Sequence, residues 1–377
     1  MPKYHPAVQR IAEELERRIE QGDYDTGSWL PTQRDLAQEF AVDRSIVRLA
    51  LNHLAERGLI ICTPKHRPWV NKPKTTKRLS SAHKASALTL AAILPEHSIY
   101  YSSLSILRGI NRALQLTELP YRLMIFDNYG RTGPVDITHI NQELCALQSV
   151  EQQHISGVIL WQMGGQQTLP ACWDLRERGV PIVFVDRYPP EGDCDFVGVD
   201  NRHAAQEAVD YLFSLGHTRI GHVTNPDDLS SVQERLTGYR ESLLLHGIVP
   251  APELVYTVPF GHLPITGAAE HFLSLPDPPT AVFAMNDTLA HGLINDLERT
   301  GRRVPEDMSV IGFDDVDRFS PRPAILTTMQ QPFEMMGLRA AELLLRRLAS
   351  EKDTGMPYQH ILLPTPLIVR STCQARK

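Results

Sequence analysis

The sequence predicts an α/β protein in two parts: an N-terminal winged helix-turn-helix and, behind a polar linker, a larger body of doubly wound parallel sheets. Three observations predict it. Residues 30–60, LPTQRDLAQEFAVDRSIVRLALNHLAERGLI, hold two short amphipathic patterns on either side of a tight turn. From Ala87 onward, short apolar runs alternate with helix-length segments, the texture of parallel strands joined by crossover helices. Charge also divides along the chain: residues 1–86 hold fifteen Lys or Arg against ten Asp or Glu, which leaves 23 against 34 for the remainder. A basic head on an acidic body implies that only the head meets nucleic acid. At 377 residues the chain has room for two or three domains of roughly 150 residues each.

Taken in order, the head begins with an amphipathic helix over Pro6–Gln21 that turns Val8, Ile11, Leu15 and Ile19 inward. Residues 23–29 are a polar connection. Thr32 caps the next helix, with Pro31 before it and Asp35 three residues on, and Leu36, Ala37 and Phe40 face inward. Ala41 and Val42 make the turn, Asp43 caps a longer helix that runs to about Arg57, and Gly58 stops it. That helix carries Ile46, Val47, Ala50, Leu51 and Leu54 as one apolar stripe; its other face presents Arg44, Ser45, Arg48 and Asn52. Such donors near a helix start suit the edges of bases in a major groove. A solvated basic face would be the better explanation of an isolated arginine pair. Between Arg44 and Lys84, however, ten basic residues stand against the single acid Glu56. Solvation does not require that imbalance. The run LIICTPKHRPWV then reads as a hairpin, or wing, whose tip sets Lys65, His66 and Arg67 against phosphates or a minor groove. Residues 71–86 are a basic linker.

LPTQRDLAQE, DRSIVRLAL and RGLI resemble the GntR family of winged-helix regulators, over roughly residues 6–70. The resemblance implies that Arg34, Arg44 and Arg48 are the principal contacts to double-stranded operator DNA. Thr32, Ser45 and the wing tip, Lys65, His66 and Arg67, assist them. The chain departs from the family pattern at the turn, where Ala41 replaces glycine, at the cap, where Asp43 replaces serine, and in the wing, which lacks its usual glycines.

In the body the runs LTLAAILP, YRLMIFDN, ISGVILWQ, VPIVFVDR, FVGVD, TRIGHVTN, AVFAMND and MSVIGFDD end in carboxylates and amides at Asp127, Asn128, Asp186, Asp200, Asn201, Asn286, Asp287, Asp314 and Asp315. In a doubly wound sheet, ligands bind beyond those strand ends. GHTRIGHV, RLTGYRESLLLHGI, PTAVFAMNDTLAHGLINDL, VPEDMSVIGFDDVD and LTTMQQPFEMMGLRAAELLL are similar, in order and spacing, to the effector domains of the LacI family, which share the periplasmic-binding-protein-like fold. The likeness covers about residues 87–372. It implies two lobes, residues 87–199 with 331–360 and residues 200–330 with 361–377, joined by crossovers near Asp200, residues 329–331 and Ile361. The effector would sit between them, held by Asp186, Arg187, Arg235, Asn286 and Asp314, with Gln331 at a crossover. Tyr100, Tyr101 and Trp161 are candidates to stack on its ring, and Phe260 and His262 lie in a less constrained loop. Carboxylates, amides, a forked Arg and aromatic faces are what a sugar needs. Structural roles compete: Asp200 and Asp315 as helix caps, Tyr101 as core, Asn286 as a brace, His217 and His222 as packing.

A GntR-type head on a LacI-type body is the arrangement of arabinose-repressor-like regulators. The function it implies is a homodimeric repressor, controlled by a small effector that is expected to be a sugar. A solute receptor or a carbohydrate-active enzyme could use the same cleft. The receptor would need export and has no use for the head; against the enzyme, no G-x-x-x-x-G-K-[ST], no G-x-G-x-x-G after a strand, no H-E-x-x-H and no G-x-S-x-G motif is present. No enzyme activity, cofactor or metal is expected. The five cysteines are widely spaced without a C-x-x-C, no apolar run reaches the ~20 residues of a membrane span, and the first residues lack a signal-peptide core. These features place the chain in the cytoplasm as an expectation.

Overall fold

The structure, a computed structural model of the chain, describes residues 6–21, 23–24, 28–56, 59–61, 68–70, 88–95, 101–117, 120–128, 137–190, 193–226, 229–258, 267–319, 323–350 and 356–376. It falls into two compact units, residues 1–84 and 85–377.

In the first unit, helix α1 (Pro6–Gln21) buries Val8, Ile11, Leu15 and Ile19 against α2 (Gln33–Glu39) and α3 (Arg44–Glu56). Thr32 opens α2 with a capping box: its hydroxyl accepts from the Asp35 amide at 3.2 Å, while Asp35 accepts from the Thr32 amide. Leu36 is buried, with Ala37 and Phe40 packed beside it. The turn then passes through Ala41 at φ 53°, a left-handed conformation that costs a residue with a Cβ ~1 kcal/mol. Asp43 accepts from the Ser45 amide at 2.8 Å and so caps α3. Val47, Ala50, Leu51 and Leu54 complete the core. The expected wing pairs β1 (Ile60–Ile61) with β2 (Trp69–Val70), antiparallel. Residues 28–30 add an unforeseen third edge: the Val70 amide donates to Ser28, the Leu30 amide donates to Pro68, and Trp29 bridges Trp69.

The second unit contains two six-stranded sheets. In the first, β3 (Leu88–Pro95), β4 (Tyr121–Asn128), β5 (Gly157–Leu160), β6 (Ile182–Val185), β7 (Asp195–Val199) and β13 (His360–Leu363) are all parallel, in the order β13-β7-β6-β5-β3-β4. Helices α4 (Tyr101–Gln115) and α11 (Phe333–Ala349) pack on each other against this sheet, and α5 (Ile137–Gln152) and α6 (Leu169–Glu177) supply the other layer. Arg347 of α11 ties the sheet from below, its Nε and Nη2 donating to the buried Asp195 at 2.6 and 2.7 Å. The second sheet runs β14-β12-β11-β10-β8-β9, built from β8 (Ile220–Thr224), β9 (Val255–Thr257), β10 (Ala281–Ala284), β11 (Ser309–Asp314), β12 (Thr327–Gln330) and β14 (Leu367–Ile368), with only β14 antiparallel. Helices α7 (Asn201–Ser214) and α8 (Ser230–Leu245) pack together, and α9 (Ala268–Ser274) and α10 (Asp287–Arg299) enclose the apolar cluster around Phe272 and Val282.

The chain passes between sheets after Val199, after Gln330 and after Leu363. The third passage corrects the expected crossover near Ile361. Residues His360–Leu363 still pair with Phe196–Val199, so the chain leaves the first sheet only once that ladder ends, at the two prolines Pro364 and Pro366. No helix among the described residues is long and apolar enough to cross a membrane. The four described cysteines are free.

Candidate functional site

Two surfaces gather the chemistry. On the head, α3 leaves Arg44, Ser45, Arg48 and Asn52 exposed opposite its buried stripe, and Arg34 is exposed on α2. Thr32 is half-buried and spent on its cap. The wing-tip residues Lys65, His66 and Arg67 lie outside the described residues.

In the body, strand ends from both sheets meet. The chain leaves β6 through Asp186 at φ 64° and ends β11 through Asp314 at φ 121° and Asp315 at φ 58°. Left-handed backbones cost a non-glycine residue ~1–3 kcal/mol each and collect where function over-determines the structure. Gln331, on the second crossing, joins the two lobes: its Nε2 donates to Asp314 Oδ1 at 2.7 Å and to Asp186 Oδ1 at 3.2 Å. Each carboxylate has an arginine beside it. Arg235 Nη1 lies 3.6 Å from Asp314 Oδ1, and Arg187 Nε lies 3.3 Å from Asp186 Oδ2.

Arg235 is buried and held on several sides. Its Nε donates to Asn201 Oδ1 at 2.9 Å, its Nη1 donates to the Met285 carbonyl at 2.7 Å, and its guanidinium lies 3.7 Å over the Phe313 ring. Burial raises the Asp314 carboxyl to about 6, although Arg235 and the Gln331 bond favour its charged form. Burial likewise lowers the Arg235 pKa. Behind them Asp287 is buried too, accepting from the Thr328 hydroxyl at 2.6 Å and the Val316 amide at 2.9 Å, and its pKa is pushed well up by burial and by Asp314.

The periplasmic binding protein-like domain matches residues 209–373, and the bacterial regulatory proteins of the gntR family match residues 7–67. The HTH-type transcriptional repressor CytR of Escherichia coli (strain K12) is 33% identical over 248 residues, 64% of this chain and 69% of that protein. The chain belongs to the LacI-type transcriptional regulators and carries a GntR-type head. It is therefore a DNA-binding regulator under effector control. The arabinose metabolism transcriptional repressor of Geobacillus stearothermophilus matches this LacI-type regulator end to end, at 27% identity over 99% of this chain and 98% of that one. A solved structure titled as a CelR–cellobiose complex superposes with a TM-score of 0.62 at 26% identity, covering 91% of the regulator and 100% of that chain.

Other expected residues of the regulator have different surroundings. Asn286 Oδ1 accepts from the Leu289 amide at 2.8 Å, so that atom caps α10. Asp200 caps α7, and Asp315 binds Arg370 and Gln330, both at 2.6 Å. Tyr101 is exposed at the start of α4 rather than filling the core. Trp161 is buried and stacks on Phe333 at 5.8 Å, because β5 delivers it against the first turn of α11. Tyr100, Phe260 and His262 lie outside the described residues.

The structure also adds residues that the sequence did not single out. Tyr188 crosses between lobes: its hydroxyl donates to Glu234 and its amide donates to Ser230 Oγ at 3.0 Å. Asn201 donates to Glu234 at 3.2 Å and accepts from Arg235. Burial raises the pKa of Glu234. Glu143, fully buried on α5, holds the loop after β5 by accepting from the Met163 and Gly164 amides at 2.6 and 3.1 Å. The only signal for Glu143 was an acid on an otherwise apolar helical face.

Proposed function

We propose that this regulator is a homodimeric repressor of the cytoplasm whose hold on operator DNA is set by a sugar bound, without turnover, between the lobes. The observation that carries the reading is Gln331 bonded at once to Asp186 and Asp314, one carboxylate from each lobe. A hydroxylated ligand that takes over these bonds reads the separation of the lobes directly. It shifts operator affinity by its differential binding to the two states, for which ~1–3 kcal/mol of coupling is the usual range. The arabinose repressor relative and the cellobiose complex of CelR support a sugar. The exposed Arg44 and Arg48 on α3, with Arg34, are the DNA contacts of the reading.

Fluorescence anisotropy with DNA from upstream of the protein's own coding region tests it. A sugar releases the wild type from that DNA, whereas Arg235→Ala stays bound at every sugar concentration and still melts cooperatively. Wild-type binding that no sugar alters overturns the sugar, and recovery of chemically changed sugar overturns binding without turnover. Sedimentation of the free protein as a monomer at working concentration overturns the dimer.

A further inference from the structure

We propose that the effector of this cleft carries no net charge, and that the cleft discriminates against the acid and phosphorylated forms of the same ligand. The inference deepens the sugar reading and rests on it for the choice of probes alone. Among the described residues, the two arginines at the cleft are each matched by a carboxylate of their own lobe, Arg235 by Asp314 at 3.6 Å and Arg187 by Asp186 at 3.3 Å. Binding a phosphate or carboxylate calls for a forked guanidinium free to donate in parallel. Arg235 instead spends Nε on Asn201 and Nη1 on the Met285 carbonyl, with its face on Phe313. Arg187 turns Nη1 toward Met163 Sδ at 3.3 Å.

Among the described residues of the cleft the acids also outnumber the bases. Glu234, bonded to Asn201 beside Arg235, adds a third carboxylate to the pair, and the buried Asp287 stands behind Asp314. An anionic ligand entering here meets the ionised members of this set where water screens little, although burial favours the neutral forms of Glu234 and Asp287. The N-termini of α7 and α10 are already capped by Asp200 and Asn286, so the amides that hold anions elsewhere are partly occupied.

What the cleft does leave open has another pattern. Gln331 Oε1 is a buried acceptor without a hydrogen-bond partner, and Trp161 Nε1 is a buried donor without one; Arg187 Nε also lacks a hydrogen bond and faces Asp186 only as an ion pair at 3.3 Å. Gln331 is 1% exposed and Trp161 7%. Buried polar atoms are normally paired, so an orphaned acceptor and an orphaned donor mark where a ligand is to supply bonds. Hydroxyls and neutral amides both give and take hydrogen bonds, whereas a phosphate dianion only accepts.

Calorimetry on the full chain tests the proposal with aldopentoses, aldohexoses and β-linked disaccharides, each beside its uronic or aldonic acid and its phosphate, together with neutral nucleosides and their monophosphates. A neutral member binds tightest, and its acid and phosphate bind at least ~tenfold more weakly. Neutral nucleosides binding where no sugar does would remove the sugar reading and leave this inference standing. A charged member binding tightest, or no neutral member binding, overturns it. Asp314→Asn frees Arg235 of its carboxylate and relaxes the discrimination by ~tenfold, and Asp186→Asn does the same for Arg187. An unchanged ratio in both folded variants overturns the inference.

Discussion

His222, in the middle of β8, shows how burial fixes the state of a titratable side chain. It is completely buried between the rings of Tyr239 and Phe283, at 5.0 and 5.1 Å, and its Nδ1 lies 2.8 Å from the Phe283 carbonyl. That carbonyl can only accept, so Nδ1 carries the proton and Nε2 faces the core without a partner. Burial first, and then Arg240 and Arg235, push its pKa down to about 4. The folded state therefore binds fewer protons than the unfolded one between its pKa and the ordinary 6.5 of histidine. Stability from this group is complete above about 6.5 and is lost as pH falls through about 4, a drop of up to roughly 3 kcal/mol. His222→Phe keeps the stacked ring and removes the proton site. Urea melts from pH 7 to 4 should show a flatter acid limb for the variant than for the wild type; equal slopes would refute the assignment. The sequence showed the histidine beside a strand but not which rings enclose it, because Tyr239 and Phe283 come from elements far along the chain. The same limit hid Tyr188 and Glu234, whose bond spans 46 positions. Strand-end acids such as Asp186 and Asp314 were legible because parallel topology alone puts strand ends at the ligand side.

Helices reveal a different kind of information. On α4 and α11 the backbones touch: a Cβ at Gly109 would sit 1.8 Å from the Glu334 carbonyl oxygen, and one at Gly337 would sit 2.0 Å from that of Ile106. No rotamer relieves a collision with backbone, so Gly337→Ala has to push the helices apart. Alanine gains ~1 kcal/mol of helix propensity over glycine, while an overpacked contact costs ~1–3 kcal/mol and a forced backbone shift exceeds the lower end of that range. We expect a net loss of roughly 1–2 kcal/mol, read as a lowered Tm of the body with an unchanged circular-dichroism spectrum. A stabilised variant would show that the helices separate freely. Glycine inside a helical pattern announces a close neighbour without saying which one, so this crossing could not be drawn from the sequence. The boundaries of α1 and the cap at Thr32 could, since periodicity and the Thr-x-x-Asp spacing are local. Strands β9, β12, β13 and β14 escaped for the opposite reason. They are two to four residues long, β9, β13 and β14 lie at sheet edges, and none is a four-residue, wholly apolar run like those that made β5, β6 and β10 legible.

For the molecule as a whole, the division into residues 1–84 and 85–377 matches the change of charge along the chain. A basic head lowers the free energy of any duplex nearby, and the resulting affinity is counterion release, which falls steeply with salt. Sequence choice needs side chains that reach base edges. Arg44 and Arg48 stand one helical turn apart on the exposed side of α3, while its buried side is fixed by Val47, Ala50, Leu51 and Leu54. Removing Arg48 therefore leaves the fold of the head untouched, because no buried group loses a partner. Arg48→Ala should lose ~1–3 kcal/mol of operator binding if it reads a base, with the preference for operator over unrelated DNA reduced and the salt slope nearly intact. Were Arg48 a phosphate contact, affinity would fall about equally on both DNAs and the salt slope would decrease by about one. Sugar binding measured by calorimetry should be the same as wild type in either case, since Arg48 and Arg235 belong to separate compact units. Joint loss of DNA and sugar binding in a folded Arg48→Ala protein would contradict the separation of reading and sensing on which the regulator's design depends.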